Sequence, residues 1–389
     1  MDVFSIRIAN SVDTSLEFPV HFLALGKQGW HVYDALPYLL SRSRDLEVRN
    51  QNGEAALHIA LDNQQPGSGP FQKEAARVLI LAGANVNAVT TSGMTCLAAG
   101  VNDIDSVRLL MAHGARADAS AVFATIKNRN VGVLEALLSP GNINRQESGP
   151  RLDGELLRID DRVEEQHALH CAATQMPRAW KDDKRSKQAH KACSDMVRVL
   201  LAHGVSPYSK FKVRTPDSSS AGTRPWMTSG DDSDVPPEGS RIRPYEQGFE
   251  SCTVIHQVLR HCGTIGPFLE LQYLDLEHRD SNGQTLLLAA WRNSSTFCSY
   301  AELANQDQES EPTLLIDVLL KRGTDLSARD NHGRNALHTA FHALMIGQLY
   351  TPPENFEKPL ASLIGSDSSL LKQVDTMGKA PLHDALAAL

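Results

Sequence analysis

Histidine and cysteine side chains are concentrated between residues 167 and 203, and these residue types could bind a metal. The cluster consists of His167, His170, Cys171, His190, Cys193 and His203. Imidazole and thiolate are the preferred ligands of zinc. However, their spacing matches no zinc-binding pattern, and the six cysteines of the chain include no C-x-x-C pair. We therefore predict neither a metal site nor a cofactor.

The triplet His278-Arg279-Asp280 is a second candidate for chemistry, because the same triplet occurs in the catalytic loop of protein kinases. There the aspartate accepts a hydroxyl proton and a downstream asparagine holds Mg²⁺, but the corresponding residue here is Thr285. The sequence also has no D-F-G, V-A-I-K, P-loop, H-E-x-x-H or G-x-S-x-G motif. We therefore predict no catalytic residues and no enzymatic activity.

One histidine recurs at an equivalent place in several segments of the chain. These residues are His21, His58, His170, His256, His338 and His383. If each segment forms a packed helix, successive imidazoles lie about 10 Å apart, which is too far to share one metal ion.

The recurring histidines belong to a longer repeat. Its clearest copies are residues 52–60, 282–290 and 332–340, and residues 91–99 and 377–385 fit the same frame. A second apolar helix follows, stopped by a glycine at Gly83, Gly114, Gly204 or Gly323. Such a helix pair cannot bury its own apolar face, so neighbouring pairs must stack on one another.

This repeat resembles the ankyrin repeat, whose unit opens its first helix with T-P-L-H-x-A. The closest matches are residues 380–385 and 335–340, and residues 83–88 match the helix exit. The resemblance extends over about eight units and a terminal half. It implies an all-α, ankyrin-type helical solenoid of helix-turn-helix repeats joined by β-turn fingers. It also implies that the recurring histidine bonds neighbouring backbone at the helix start.

The repeats suggest four regions. We assign 1–50 to an N-terminal capping repeat, 51–212 to repeats, 213–250 to a disordered inserted loop, and 251–389 to repeats ending in a half repeat. The inserted loop is rich in Ser, Thr, Pro, Gly and Asp, which cannot bury enough apolar surface to fold. The unit at 121–138 lacks both the turn glycine and the histidine, so we expect it to be the least regular.

Composition limits the partners. A formal net charge of −8 and a pI near 6.0 argue against nucleic acid and anionic lipid, and no segment is apolar enough to span a membrane. The basic run from Arg178 to Lys191 fits a nuclear-import or anion patch, but Asp182 and Asp183 interrupt it, and we favour a solvated loop. Scattered cysteines indicate a reducing compartment. We expect a monomer in the cytoplasm, with the nucleus as a second option.

The resemblance implies that finger tips and first helices form a concave face that binds protein partners. The candidate contact residues are Asn50, Gln51, Thr90, Thr91, Arg279, Asp280, Ser281, Arg329, Asp330, Asn331 and His332. We expect a protein-binding scaffold or adaptor. The alternative is the targeting or regulatory part of a larger enzyme or receptor, which the half repeat at 381–389 also fits. The sequence leaves the partner's identity open, and also the modification of Asn87, whose context resembles that of hydroxylated asparagines in ankyrin proteins.

Overall fold

The computed structural model describes ten parts of the chain. These are residues 46–62, 70–139, 155–159, 162–166, 168–175, 184–214, 249–260, 265–292, 315–345 and 353–387. The capping repeat assigned to residues 1–50, including His21, lies almost wholly outside the described residues. So do His167 and residues 215–248.

The described helices form pairs that stack in two layers. The first helices are α1 (Ala56–Leu61), α3 (Cys96–Ala99), α5 (Ala119–Asn128), α7 (Ala168–Thr174), α9 (Val254–Arg260), α11 (Leu286–Arg292), α13 (Ala336–Met345) and α15 (Pro381–Ala387). The second helices are α2 (Pro70–Leu81), α4 (Ile104–Ala112), α6 (Val131–Leu138), α8 (Lys184–Ala202), α10 (Gly266–Leu269), α12 (Leu315–Lys321) and α14 (Pro353–Ser366), and a 3₁₀ helix follows at Ser368–Lys372. Each first helix packs on the next first helix, from α1 to α15, and second helices pack on one another in the outer layer.

Recurring leucines of the first helices build the core between repeats. The equivalent residues Leu57, Leu97, Leu169, Leu287 and Leu337 are all at most 2% exposed. Burial of one such side chain contributes about 1.5–3 kcal/mol. The core is therefore a continuous row through the stack, which a single repeat could not form.

Glycine and histidine together end several second helices. Gly114 and Gly204 adopt positive φ angles of 90° and 87°, the conformation that stops a helix at little cost only for glycine. The preceding residues, His113 and His203, donate from Nδ1 to the carbonyls of Leu109 and Val199 at 2.9 and 2.8 Å. Each imidazole is thus a second donor to a carbonyl that also accepts the backbone N–H of the same histidine, at 3.1 Å in both cases.

Two β-hairpins interrupt the helical pattern. In the first, β1 (Glu155–Ile159) pairs antiparallel with β2 (Arg162–Gln166), and in the second, β3 (Lys210–Arg214) pairs antiparallel with β4 (Phe249–Thr253). Strand β2 lies beside β3. Each hairpin precedes a first helix, at the place where other repeats have a finger.

The predicted ankyrin-type helical solenoid is confirmed for the body of the chain, and the two hairpins are an addition that the repeat pattern did not predict. Residues 213, 214, 249 and 250, assigned to the inserted loop, belong to strands. The insertion therefore leaves the solenoid on its finger edge.

The unit at 121–138 was expected to be the least regular, but its two helices, which span 119–138, are both regular. Asp118 caps α5 by accepting the N–H of Ala121 at 3.1 Å, and only Arg129 and Asn130 separate α5 from α6. The repeat does lack a finger, because the chain runs from Gly114 directly to Asp118.

The basic run is also placed differently from the prediction. Its second half, Lys184–Lys191, forms the start of α8 and is not a loop. None of the helices in the described ranges is long and apolar enough to cross a membrane.

Candidate functional site

Five turns project from the described repeats, each ahead of a first helix. We name them fingers 1 to 5, at residues 49–55, 89–95, 279–285, 329–335 and 374–380, and number their positions from 1 to 7. In finger 1 the N–H of Gly53, at position 5, bonds the carbonyl of Asn50 at 2.9 Å. The N–H of Asn50 bonds the carbonyl of Glu54 at 3.0 Å, and the other four fingers repeat both bonds.

The side chain at position 2 stabilises each turn by accepting backbone N–H groups of the same turn. In finger 1 Oδ1 of Asn50 accepts the N–H groups of Asn52 and Glu54 at 3.0 and 2.9 Å. Asp280 and Asp330 accept the equivalent pairs of N–H groups at 2.8–3.0 Å. Short polar side chains stabilise turns in this way.

This burial changes the interpretation of four predicted contact residues. Asn50, Thr90, Asp280 and Asp330 are each at most 8% exposed, because their oxygen atoms face the turn. Thr90 accepts the N–H of Met94 at 3.0 Å. Sequence analysis assigned these residues to the partner because they are polar, but the structure uses them to hold the fingers in shape.

Arginines at position 1 join consecutive fingers. Nη1 of Arg329 donates to the carbonyl of Val374 at 2.9 Å. Nη1 of Arg279 donates to the carbonyls of Gly283, at 2.9 Å, and Arg329. The predicted anchors Arg279 and Arg329 therefore bond the neighbouring finger.

Arg49 occupies the same place in finger 1 and donates to the carbonyl of Val89. It is absent from the contact residues predicted from the sequence. The recurrence of arginine immediately before the position-2 residue was the signal that could have found it.

Position 3 adds a second link between fingers. The N–H and Oγ1 of Thr91 donate to the carbonyl of Asn52 at 3.3 and 2.7 Å. Asn331 bonds the carbonyls of Asn282 and Ser281, both at 3.0 Å, through its N–H and Nδ2. Fingers 1 and 2 form an N-terminal finger pair, and fingers 3 to 5 form a C-terminal finger ridge.

Several side chains remain exposed at the tips of these two groups. From the predicted set these are Gln51, Thr91, Ser281, Asn331 and His332. The guanidinium groups of Arg279 and Arg329 are exposed as well, beside the bonds described above. Met377, at position 4 of finger 5, is 77% exposed but is absent from the predicted contact residues, although residues 377–385 were placed in the repeat frame.

Three of the recurring histidines bridge adjacent repeats. Nδ1 of His58 accepts the N–H of Ala55 at 3.2 Å, and Nε2 donates to the carbonyl of Ala88 in the next repeat at 3.1 Å. Nε2 of His256 donates in the same way to the carbonyl of Gln284 at 2.9 Å. Each imidazole thus has one acceptor and one donor nitrogen, as the neutral ring requires.

His338 has the same two bonds, whereas His383 ends the described series. Nδ1 of His383 accepts the N–H of Ala380 at 3.0 Å, and the side chain is exposed. His170 lies half-buried in α7. Burial lowers the pKa of His58, which keeps its ring neutral between the repeats.

The residues considered for metal binding or catalysis have other environments. Burial raises the pKa of Cys171 to about 12, so its thiol stays protonated near neutral pH. Across the described residues, no three His, Cys, Asp or Glu side chains are grouped to hold a metal. Oδ1 of Asp280 accepts two backbone N–H groups of its own turn, and the residue is 8% exposed.

Comparison with known proteins finds similarity among solved structures. No protein-family model and no curated protein matches the sequence. The chain is similar to the crystal structure of the human ASB11 ankyrin repeat domain, with 19% identity, coverage of 89% of this chain and 97% of that chain, and a TM-score of 0.39. The paired helices, the turn at each finger and the histidine bridges carry the assignment. By fold, the chain is an ankyrin-type repeat protein.

Proposed function

We propose that this chain is a protein-binding scaffold without catalysis of its own, and that its finger tips are the contact surface. The observation that carries the proposal is that different positions of each finger have different roles. Positions 1, 2 and 5 hold the turn and its neighbours. The side chains at positions 3 and 4 are exposed, except that of Asn282, and some of those at position 3 also bond the preceding finger. Such a surface can vary without loss of the fold, which is how repeat proteins acquire different partners.

The tips differ from one another as this proposal requires. Position 5 is always glycine, and position 2 is always Asn, Asp or Thr. Positions 3 and 4 read Gln-Asn, Thr-Ser, Ser-Asn, Asn-His and Thr-Met from finger 1 to finger 5. The turn-forming residues at positions 2 and 5 are thus similar in all five fingers, whereas the residues at positions 3 and 4 differ.

Preorganisation also supports a binding role. Bonds from Arg279, Arg329 and Asn331 join each finger of the C-terminal ridge to the next. A partner that binds this ridge therefore does not have to order three separate loops, and ordering costs are a main term that opposes association.

Affinity capture from a native lysate tests the proposal. The intact chain is compared with a variant that carries Gln51→Ala, Ser92→Ala, Ser281→Ala and His332→Ala. A matched control carries Leu81→Ala and Tyr273→Ala, two exposed residues away from the fingers. We expect the control to retain the same proteins as the intact chain and the finger variant to lose them, with equal melting temperatures. Retention of the same proteins by the finger variant would show that the fingers are not the binding surface.

A further inference from the structure

We infer that finger 5 and α15 carry a second protein-binding surface, and that this surface takes an ankyrin-type repeat of another protein, joined end to end with the described stack. We name it the end face, and its groups are the carbonyl of Met377 and the residues Gly378, Leu382, His383 and Leu386. The end face is separate from the tip side chains, so it goes beyond the proposed function. Four of the seven large hydrophobic side chains that the described residues expose lie within residues 374–386.

The apolar part of the end face has the residue types of the core between repeats. Leu382 is 53% exposed, whereas its equivalents in the five earlier first helices that form the core row are at most 2% exposed. Leu386 is 70% exposed, whereas its equivalents Leu61, Trp291 and Phe341 are at most 8% exposed. In the earlier repeats, a second helix and the next first helix pack on the helix that carries these residues. The two leucines of α15 are thus core residues without a cover among the described residues, and exposed apolar patches mark interaction sites.

The polar part of the end face contains one half of a histidine bridge. Nδ1 of His383 accepts the N–H of Ala380 at 3.0 Å, as Nδ1 does in the bridges described above. In His58, His256 and His338 the Nε2 atom donates to a carbonyl of the next repeat. Nε2 of His383 makes no such bond within the described part of the chain, and its side chain is exposed. An imidazole N–H is therefore open to a carbonyl from another protein.

Finger 5 presents the groups by which earlier fingers hold the next one. In three earlier fingers the carbonyl at position 4 accepts the position-3 N–H of the next finger, and the carbonyl of Met377 has no such donor among the described residues. An added Cβ on Gly333 would lie 3.0 Å from the backbone nitrogen of Thr376, whereas Gly378 has open space around it. Gly93 is open in the same way, and the repeat after it has no finger. The space at Gly378 is therefore the place of a following finger.

A repeat is the occupant that uses all of these groups. A lone helix could bury the two leucines, but its own backbone groups are bonded within the helix and offer nothing to His383 or Met377. Finger 5 and α15 show how a repeat covers the preceding one, because Thr376 supplies the N–H, Lys379 supplies the carbonyl and α15 packs on α13. Two end faces placed against each other would supply only one side of this junction twice. The partner is therefore a repeat protein whose first repeat has no polar cap.

Binding of a purified probe tests this inference. The probe is a consensus ankyrin-type protein of about three repeats, with a polar capping repeat at its C-terminal end and an uncapped first repeat. The control probe has the same repeats and a polar cap at both ends. Each probe is mixed with the intact chain at concentrations up to about 100 μM and followed by analytical ultracentrifugation. We expect a one-to-one complex with the uncapped probe and no complex with the control probe.

Matched substitutions locate the contact on the end face. Leu386→Asp places a charge among the apolar groups and should weaken the complex at least about tenfold. His383→Ala removes the open N–H and should weaken it about two- to tenfold. Leu81→Asp, at another exposed leucine in α2, is the control and should bind as the intact chain does.

Three outcomes would overturn the inference. Absence of a complex with the uncapped probe would show that the end face does not accept a repeat. Equal binding of the two probes, or of Leu386→Asp and the intact chain, would show that the contact is not the junction described here. Dimers of the chain alone that Leu386→Asp abolishes would make a second copy the occupant.

The finger variant used to test the proposed function separates the two surfaces. It keeps the end face intact and should bind the uncapped probe with unchanged affinity. Loss of probe binding in this variant would place the contact on the finger tips and would contradict a separate end face.

Discussion

The Nε2 atom of His338 lies 2.9 Å from the carbonyl oxygen of Lys379, while Nδ1 of the same ring accepts the N–H of Asn335. One buried imidazole thus links the first helix of its own repeat to finger 5 of the next. His383 occupies the same position one repeat later, where its side chain is exposed. The two residues allow the contribution of this bridge to be measured.

Replacement of His338 by alanine should lower the free energy of unfolding by about 1–3 kcal/mol, because the buried N–H of Asn335 and the carbonyl of Lys379, in a partly buried bond, lose their partner. His383→Ala should cost less than about 0.5 kcal/mol, as expected for an exposed position. Urea unfolding of both variants checks this. Similar losses would mean that the bridge to the next repeat contributes little.

The stability of the chain should fall in mild acid through His58. Burial lowers the pKa of His58 in the folded chain below its ordinary value of 6.5. Between the two pKa values the unfolded chain holds a proton that the folded chain does not, so stability is lost as pH falls below about 6.5, by up to about 1.4 kcal/mol per pH unit. Above about pH 6.5, His58 does not make the free energy of unfolding depend on pH.

Urea unfolding at pH 7.5 and pH 5.5 checks this expectation. The loss between these two values should be smaller in His58→Gln than in the intact chain, since glutamine does not titrate. An equal loss of unfolding free energy in both proteins would show that His58 is not the cause of the acid destabilisation.

Two glycines of the first repeat should respond differently to alanine. Gly53 in finger 1 has φ of 72°, and an added Cβ would lie 2.6 Å from Cγ2 and 2.8 Å from the backbone nitrogen of Thr91. Gly83, at the end of α2, has φ of 93° and open space around it.

Gly83→Ala should therefore cost only the left-handed backbone strain of about 1–2 kcal/mol. Gly53→Ala should cost at least about 1 kcal/mol more, as expected for overpacking against a neighbouring finger. Thermal or urea unfolding distinguishes the two, and a larger loss for Gly83→Ala would contradict the close contact between fingers 1 and 2.

Loss of the arginine link should loosen the C-terminal finger ridge. In Arg279→Ala the bond to the carbonyl of Arg329 is lost, and we expect a cost of about 0.5–1 kcal/mol because the group is exposed. Hydrogen exchange of the Asn331 N–H, which bonds Asn282, should become faster. Arg108→Ala, at an exposed position of α4, is the control, and equal exchange in both variants would contradict the proposed link.

The repeat frame could be predicted from the sequence because turn glycines and buried leucines recur in it. Gly283 and Leu337 lie where their frame positions require. The histidine bridges could be predicted only in part, since the acceptor of His58 is 30 residues away and that of His338 is 41 residues away. Which carbonyl of the next repeat faces each histidine depends on how the repeats pack, and a single sequence does not show this.

The role of the finger residues was harder to assign. Asn50 and Asp280 are polar residues in turns, and both a partner contact and a turn-building role fit that description. Their place three residues before a glycine favours the second role, since Asn and Asp side chains accept backbone N–H groups in such turns. The strand Lys210–Arg214 alternates basic and apolar residues, but five residues beside a Ser- and Pro-rich segment are too few to predict a hairpin.

The fingerless repeat at 119–138 has a mechanical consequence. Where the chain runs directly from Gly114 to Asp118, no finger can carry the backbone bonds that tie fingers 1 and 2, or fingers 3 to 5, to each other. Under tension applied across the whole stack, this junction bears load through helix packing and a few side-chain bonds, such as that from Asn87 to the carbonyl of Gly114 at 3.0 Å. A stretched chain should therefore part here first, into two segments that each keep their own fingers intact.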